Sequence, residues 1–244
     1  MALPTIAVPK YNLKIPSSGK EISYRPFLVK EEKILLIAME SEKEEEMTKA
    51  ISDIINNCVH EDLDVNRMPM FDVEYIFLQL RAKSKGEVLD LSFNCEKCKK
   101  PIPIEVDISN IEVTRTEGHD CKIPLTDDVG IIMRYPSMEI QQIVNKDASD
   151  VENIFDTISF CIESIWDKET VYSTKDHTKE ELNDFMESLP DDAFTKLQHF
   201  FDTIPVLKHD IAIKCKSKNG KGKNASMCGW NDTKTLEGLG SFFG

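Results

Sequence analysis

Cys95-Glu-Lys-Cys98 sets two thiols two residues apart, and a CxxC knuckle of this kind turns both sulfurs to one side, which supplies half of a tetrahedral zinc site. A second pair must close it. The remaining candidates lie near the far end of the chain, as Cys215 and Cys228. If the four meet, the middle of the chain is an excursion between two halves of one zinc-bearing β-unit, pinned at its base by metal. A zinc ribbon normally offers another CxxC at this point, whereas here the pair is Cys215-x12-Cys228. The intervening Lys216 to Met227, rich in lysine, glycine and asparagine, reads as an inserted, flexible, basic loop. The same cysteines also suit a metal-free hairpin carrying plain thiols, and both readings stay open.

The elements around the cysteines favour a turn at each pair. Val88, Leu89, Leu91 and Phe93 make a strand that feeds Cys95, and Ile102, Ile104 and Val106 make the return strand after Cys98, so the knuckle is the turn of a β-hairpin. Val206 to Ile213 alternates into Cys215 as a further strand, and Trp230 to Leu236 answers it. Upstream, Tyr11, Leu13 and Ile15, the turn Pro16-Ser-Ser-Gly19, then Ile22, Tyr24 and Phe27 give another hairpin. Its prolines, Pro4, Pro9, Pro16 and Pro26, suit an edge strand or an arm lying on another surface.

Helical spacing fills the rest. Ile34, Leu35, Ile37 and Ala38 follow acidic Glu31 and Glu32; Glu40 to Glu46 reads as a solvated bend; Met47, Ala50, Ile51, Ile54, Ile55 and Cys58 form an amphipathic stripe. Pro69 suits the first turn of a helix whose buried face is Phe71, Tyr75, Leu78 and Ala82, and which Gly86 ends. After short strands through Tyr135, a stripe from Val151 to Ile165 predicts one long helix closed by Trp166. Thr178-Lys-Glu-Glu181 is a capping box, and Pro190-Asp191 restarts a helix carrying Phe194, Leu197, Phe200 and Phe201. The expected class is α+β: two helical blocks joined to a small zinc-ribbon-like β-hairpin unit, with an N-terminal β-arm. Its segments are the arm at 1–28, a helical block at 29–85, the hairpins with the first cysteine knuckle at 86–135, a second helical block at 136–205, and the closing strand pair and tail at 206–244.

Composition narrows the function. At 244 residues, with 41% hydrophobic and 30% charged residues, the chain has the profile of a soluble globular protein with real cores. No apolar run approaches the roughly 20 residues of a membrane-spanning helix, and the start lacks the pattern of a secretory signal. Seven scattered cysteines argue for a reducing compartment, with Cys58 and Cys161 read as buried core thiols. A net charge of −13 disfavours nucleic acid, although Lys216, Lys218, Lys221 and Lys223 form one basic cluster. No P-loop, dinucleotide glycine pattern, HExxH or nucleophile elbow is found. The histidines lack ligand spacing; His119 and Cys121 could serve as spare ligands but read as ordinary loop residues. The chain is therefore expected to be no enzyme and to take no small-molecule substrate.

Five stretches, Tyr11-Asn-Leu-Lys-Ile-Pro16, Tyr24-Arg-Pro-Phe-Leu-Val-Lys-Glu-Glu-Lys-Ile-Leu35, Met68-Pro-Met-Phe-Asp-Val-Glu-Tyr-Ile-Phe77, Leu80-Arg-Ala-Lys-Ser-Lys-Gly86 and Thr235-Leu-Glu-Gly238, resemble a family of baseplate proteins of contractile-tailed, T-even-like bacteriophages. That family is described as a baseplate hub subunit or hub-assembly protein. The resemblance implies a virion assembly or structural role through contacts with other baseplate or hub proteins, in the host cytoplasm during assembly and in the tail baseplate. Related chains look as though they carry a compact CxxC in the C-terminal strand pair, so the basic insertion between Cys215 and Cys228 is a departure. A zinc-ribbon nucleic-acid-binding or regulatory protein is the competing reading.

The end of the chain, Leu236-Glu-Gly-Leu-Gly-Ser-Phe-Phe-Gly244, is glycine-rich yet apolar. Leu239, Phe242 and Phe243 carry more apolar surface than a solvated tail exposes. They are expected either to fold back on the chain's own hairpin or to dock on a neighbouring hub subunit.

Overall fold

The structure is a computed structural model that describes residues 6–143, 149–219 and 226–242. In chain order, β1 (Tyr11–Lys14) and β2 (Glu21–Tyr24) form an antiparallel hairpin in which Leu13 opposes Ile22. Alternation buries Leu13, Ile15, Ile22 and Tyr24. This hairpin is fastened to its own chain. The Ser23 N–H donates to Glu61 at 2.8 Å, the His60 N–H donates to the Ser23 carbonyl at 2.9 Å, and the Phe27 N–H donates to the Ser84 hydroxyl at 2.9 Å.

Helices α1 (Val29–Ser41) and α2 (Glu44–Cys58) follow, and the turn between them takes Glu42 to a φ of 55°. The acidic run expected as a bend is therefore mostly helical. Glu44, Glu45 and Glu46 occupy the first turn of α2, where the helix's N-terminal partial positive charge favours carboxylates. Helix α3 (Met70–Lys85) begins directly after Pro69 and stops at Gly86, whose φ of 113° is open only to glycine at low cost. It is buried well beyond the expected stripe, since Val73, Ile76, Phe77 and Leu80 are enclosed along with Phe71, Leu78 and Ala82.

The knuckle hairpin is β3 (Val88–Asn94) with β4 (Pro101–Asp107), followed by the short β5 (Val113–Thr114). Next come β6 (Lys122–Pro124), β7 (Gly130–Met133), a 3-10 turn at Met138–Gln142, and α4 (Asp150–Cys161). The sequence predicts α4 to run on to Trp166, but it ends at Cys161. Ile162–Trp166 is a strand, β8, inserted between β7 and β9 (Val171–Ser173) in a sheet of order β6-β7-β8-β9. Ile162, Ile165 and Trp166 are β-favouring types, and the ladder to β7 satisfies their backbone as well as a further helical turn would. Helices α5 (Lys179–Glu187) and α6 (Asp191–Thr203) follow, α5 opening on the expected capping box in which Thr178 accepts from the Glu181 N–H. Strand β10 (Val206–Lys214), the short β11 (Lys218–Asn219) and β12 (Ser226–Met227), β13 (Asn231–Glu237) and a 3-10 turn at Leu239–Phe242 complete the order.

The chain divides into two units. One holds the segment through Leu63, Phe71–Thr114 and the segment from Val206 onward; the other holds Asp64–Met70 and Arg115–Pro205. In the first, Leu78 and Ala82 of α3 share a core with Leu89, Val106, Leu207, Ile211, Ile213 and Leu236 of the surrounding strands. In the second, Ile131, Met133, Ile158, Ile162, Leu197 and Phe200 pack together. Cys58 and Cys161 are fully buried, as expected of core thiols.

Candidate metal centre

The first half of the site is the turn between β3 and β4. The Cys95 N–H donates to the Lys100 carbonyl at 2.9 Å, and the Lys99 N–H returns to the Cys95 carbonyl at 2.8 Å. Lys99 takes a φ of 58°, which folds the chain back tightly enough for the Cys98 N–H to reach the Cys95 sulfur at 3.4 Å.

The second half is built where β10 leaves for the insertion. β11 and β12 pair antiparallel, Lys218 opposite Met227, so the inserted segment departs and returns as a ribbon. The Cys228 N–H then donates to the Ser217 carbonyl and the Cys215 N–H to the Trp230 carbonyl, both at 2.8 Å. Gly229, at a φ of 66°, turns the chain back into β13. The ribbon thereby brings Cys215 and Cys228 as close as a short turn would. Residues 220–225, including Lys221 and Lys223, lie outside the described residues.

All four sulfurs lie within 4.8 Å of one another, and among the described residues they form the group that could hold a metal ion. Cys95 Sγ is 3.7 Å from Cys228 Sγ, and Cys98 Sγ is 3.6 Å from Cys215 Sγ. Zinc–sulfur bonds of 2.3 Å in a tetrahedron place neighbouring sulfurs about 3.8 Å apart, so the donor set fits such an ion. The Ser217 N–H draws the Cys215 thiol down to about 7. Although the Lys100 N–H favours the Cys98 thiolate, burial and the three neighbouring sulfurs push that thiol up to about 11. Four thiols this close resist full ionisation without a cation among them. Nearby, Lys97 Nζ donates to the Cys228 carbonyl at 3.3 Å, clamping the two halves together.

His119 and Cys121 are not part of this group. His119 shares a hydrogen bond of 2.9 Å with the Thr203 hydroxyl and stacks on Tyr135, while its Nε2 is buried without a partner. Burial lowers its pKa. The sequence reading overlooked Lys99, Ser217 and Gly229. The signal for Gly229 was present, as a glycine directly after a cysteine where a knuckle must reverse, whereas the parts played by Lys99 and Ser217 are backbone geometry that no residue type announces. The side chains of Leu239 and Phe242, and Phe243 altogether, lie outside the described residues.

Four cysteines on two hairpins share a core with helix α3 and form a cluster that could hold a metal ion. The chain belongs to the family of T4 bacteriophage base plate proteins, whose family model matches residues 8–244. Membership gives it a structural role in a phage. No curated protein and no solved structure matches it. No helix among the described residues is long and apolar enough to cross a membrane.

Proposed function

We propose that this protein is a subunit or assembly factor of the baseplate hub, acting through contacts with other baseplate proteins and performing no catalysis. The observation that carries the reading is the family match over residues 8–244, which includes every stretch that resembles the hub proteins. It works in the host cytoplasm during assembly and in the tail baseplate. Cys95, Cys98, Cys215 and Cys228 hold one zinc ion that makes the two hairpins a zinc-ribbon-like unit. With four protein ligands the ion has no open position for substrate, so its part is to fix shape. The apolar end, Leu239, Phe242 and Phe243, is assigned to contact with a neighbouring subunit. The alternative, a zinc-ribbon nucleic-acid-binding or regulatory protein, rests on the CxxC and the lysine loop alone, in a chain of net charge −13.

The test is a phage lacking this protein. Its DNA should replicate and its heads should form, while baseplates stay incomplete. Normal tails by electron microscopy would overturn the reading.

A further inference from the structure

Both hairpins of the metal-bearing unit leave a strand edge open. Because the Cys215 N–H donates to the Trp230 carbonyl, Ile213 and Ile211 also exchange hydrogen bonds with β13, whereas Asp210, Ala212 and Lys214 turn their backbone groups to the other side. On that side β5 meets only Val206 and Leu207, and among the described residues no strand pairs with Asp210, Ala212 or Lys214.

The same parity governs β4. The bonds from the Cys95 N–H to Lys100 and from the Ile108 N–H to Glu87 direct Ile102, Ile104 and Val106 toward β3. Pro101, Pro103 and Glu105 therefore face outward. Proline is tolerated there because the N–H it lacks would have had no partner in the hairpin.

These two outward edges line one cleft of about 520 Å³, with Pro101 to Ile104 on one wall and Ala212, Lys214, Lys216 and Ser217 on the other. The prolines strip donors from one wall, so β4 and β10 cannot zip together across it. What remains is an edge on β10 with donors and acceptors, a facing row of carbonyls, and an apolar surface from Ile102 and Ile104. Among the described residues lining it are two lysines and no carboxylate, in a chain whose net charge is −13.

We propose that this cleft is a strand-addition site: it takes an extended segment of a partner protein, which hydrogen-bonds to Ala212 and Lys214 of β10 and presents acidic side chains to Lys214 and Lys216. Main-chain bonds to an exposed sheet edge supply the affinity, and the alternate side chains supply the choice of partner. The proposal rests on the assembly reading only in taking the partner to be a protein. Its failure would show in the binding experiment below, while failure of the assembly reading would show in the tails of the deletion phage.

The experiment uses the full chain and an eight-residue peptide alternating glutamate with valine, compared with one alternating lysine with valine. Fluorescence anisotropy should show the glutamate peptide binding at least tenfold more tightly, a preference that Lys214→Glu with Lys216→Glu reverses. Hydrogen exchange by NMR should slow at the amides of Ala212 and Lys214 when the glutamate peptide is added. Ala212→Pro, which removes one outward donor, should lose binding at an unchanged melting temperature; if that variant does not fold, the charge-reversed pair decides. Equal binding of both peptides, or unchanged exchange at these two amides, overturns the proposal. So does a dimer in sedimentation that the peptide dissociates, since the occupant would then be a second copy of this chain.

Discussion

At the scale of single residues, Glu31 shows how a buried charge is kept. It has no solvent exposure, yet it accepts from Arg25 Nη2 at 2.9 Å and from the Leu28 N–H at 2.8 Å. Burial alone would raise its pKa, but the Arg25 guanidinium, the Leu28 N–H and Lys30 together outweigh burial and hold it below the ordinary value. A carboxylate depressed in the folded state contributes stability above its unfolded pKa of about 4.3, and loses it as pH falls through the lower folded value. Glu31→Gln should therefore cost about 2 kcal/mol at pH 7 and flatten the acid limb of the stability curve. Urea titrations between neutral pH and pH 3 check both. An equally steep acid limb in the variant would assign that limb to other carboxylates. Glu31 was read from sequence merely as a helix-start acid, because nothing in its neighbours announces that Arg25 folds over it. The cysteines were more legible. CxxC spacing is local, whereas the approach of Cys215 to Cys228 depends on the β11–β12 pairing, which the mostly polar and glycine residues between them do not reveal.

At the scale of elements, legibility follows how local the deciding interaction is. The α5 start could be read because Thr178 and Glu181 bond only within one turn. The end of α4 could not, because the apolar spacing of Ile158, Cys161, Ile162 and Ile165 fits a helix face, and only the ladder to β7 makes the last two of these strand residues. That ladder depends on Gly130. A Cβ there would overlap the Trp166 ring and lie 2.7 Å from the Ile123 carbonyl oxygen, so β6, β7 and β8 approach as they do because this side chain is absent. Gly130→Ala should destabilise the protein by about 1 to 3 kcal/mol, the usual cost of forcing atoms into a packed core. The readout is the urea midpoint at constant m. An unchanged midpoint would mean that the Trp166 ring moves aside without cost.

At the scale of the whole molecule, the four-cysteine cluster ties early chain to late chain. The α+β class was legible from periodicity, because each stripe is a property of its own segment. The grouping of the segment from Val206 onward with Phe71–Thr114 rests on β10, β13 and the cysteines, and in the sequence only the cysteine types pointed to it. Zinc is worth on the order of 10 kcal/mol in isolated fingers, but α2 and α3 supply the first unit with apolar contacts of their own. Purified protein should carry about one zinc per chain, the loading of a four-cysteine site. Stripping it, or making Cys95→Ser, should lower the calorimetric transition of the first unit and leave that of Arg115–Pro205 in place. A metal-free protein with an unchanged thermogram would remove zinc from the account.

Seen from the ribosome, the placement of Arg115–Pro205 between the two cysteine pairs inverts the order of completion. Cys95 and Cys98 emerge first but wait, as half a ligand set, through the synthesis of every residue of the inserted unit. That unit has all its strands and helices available before β10 exists, so the segment begun later is finished earlier. The first unit can close only when Cys228 and β13 have left the exit tunnel, so the four cysteines come together among the last steps in this chain's birth.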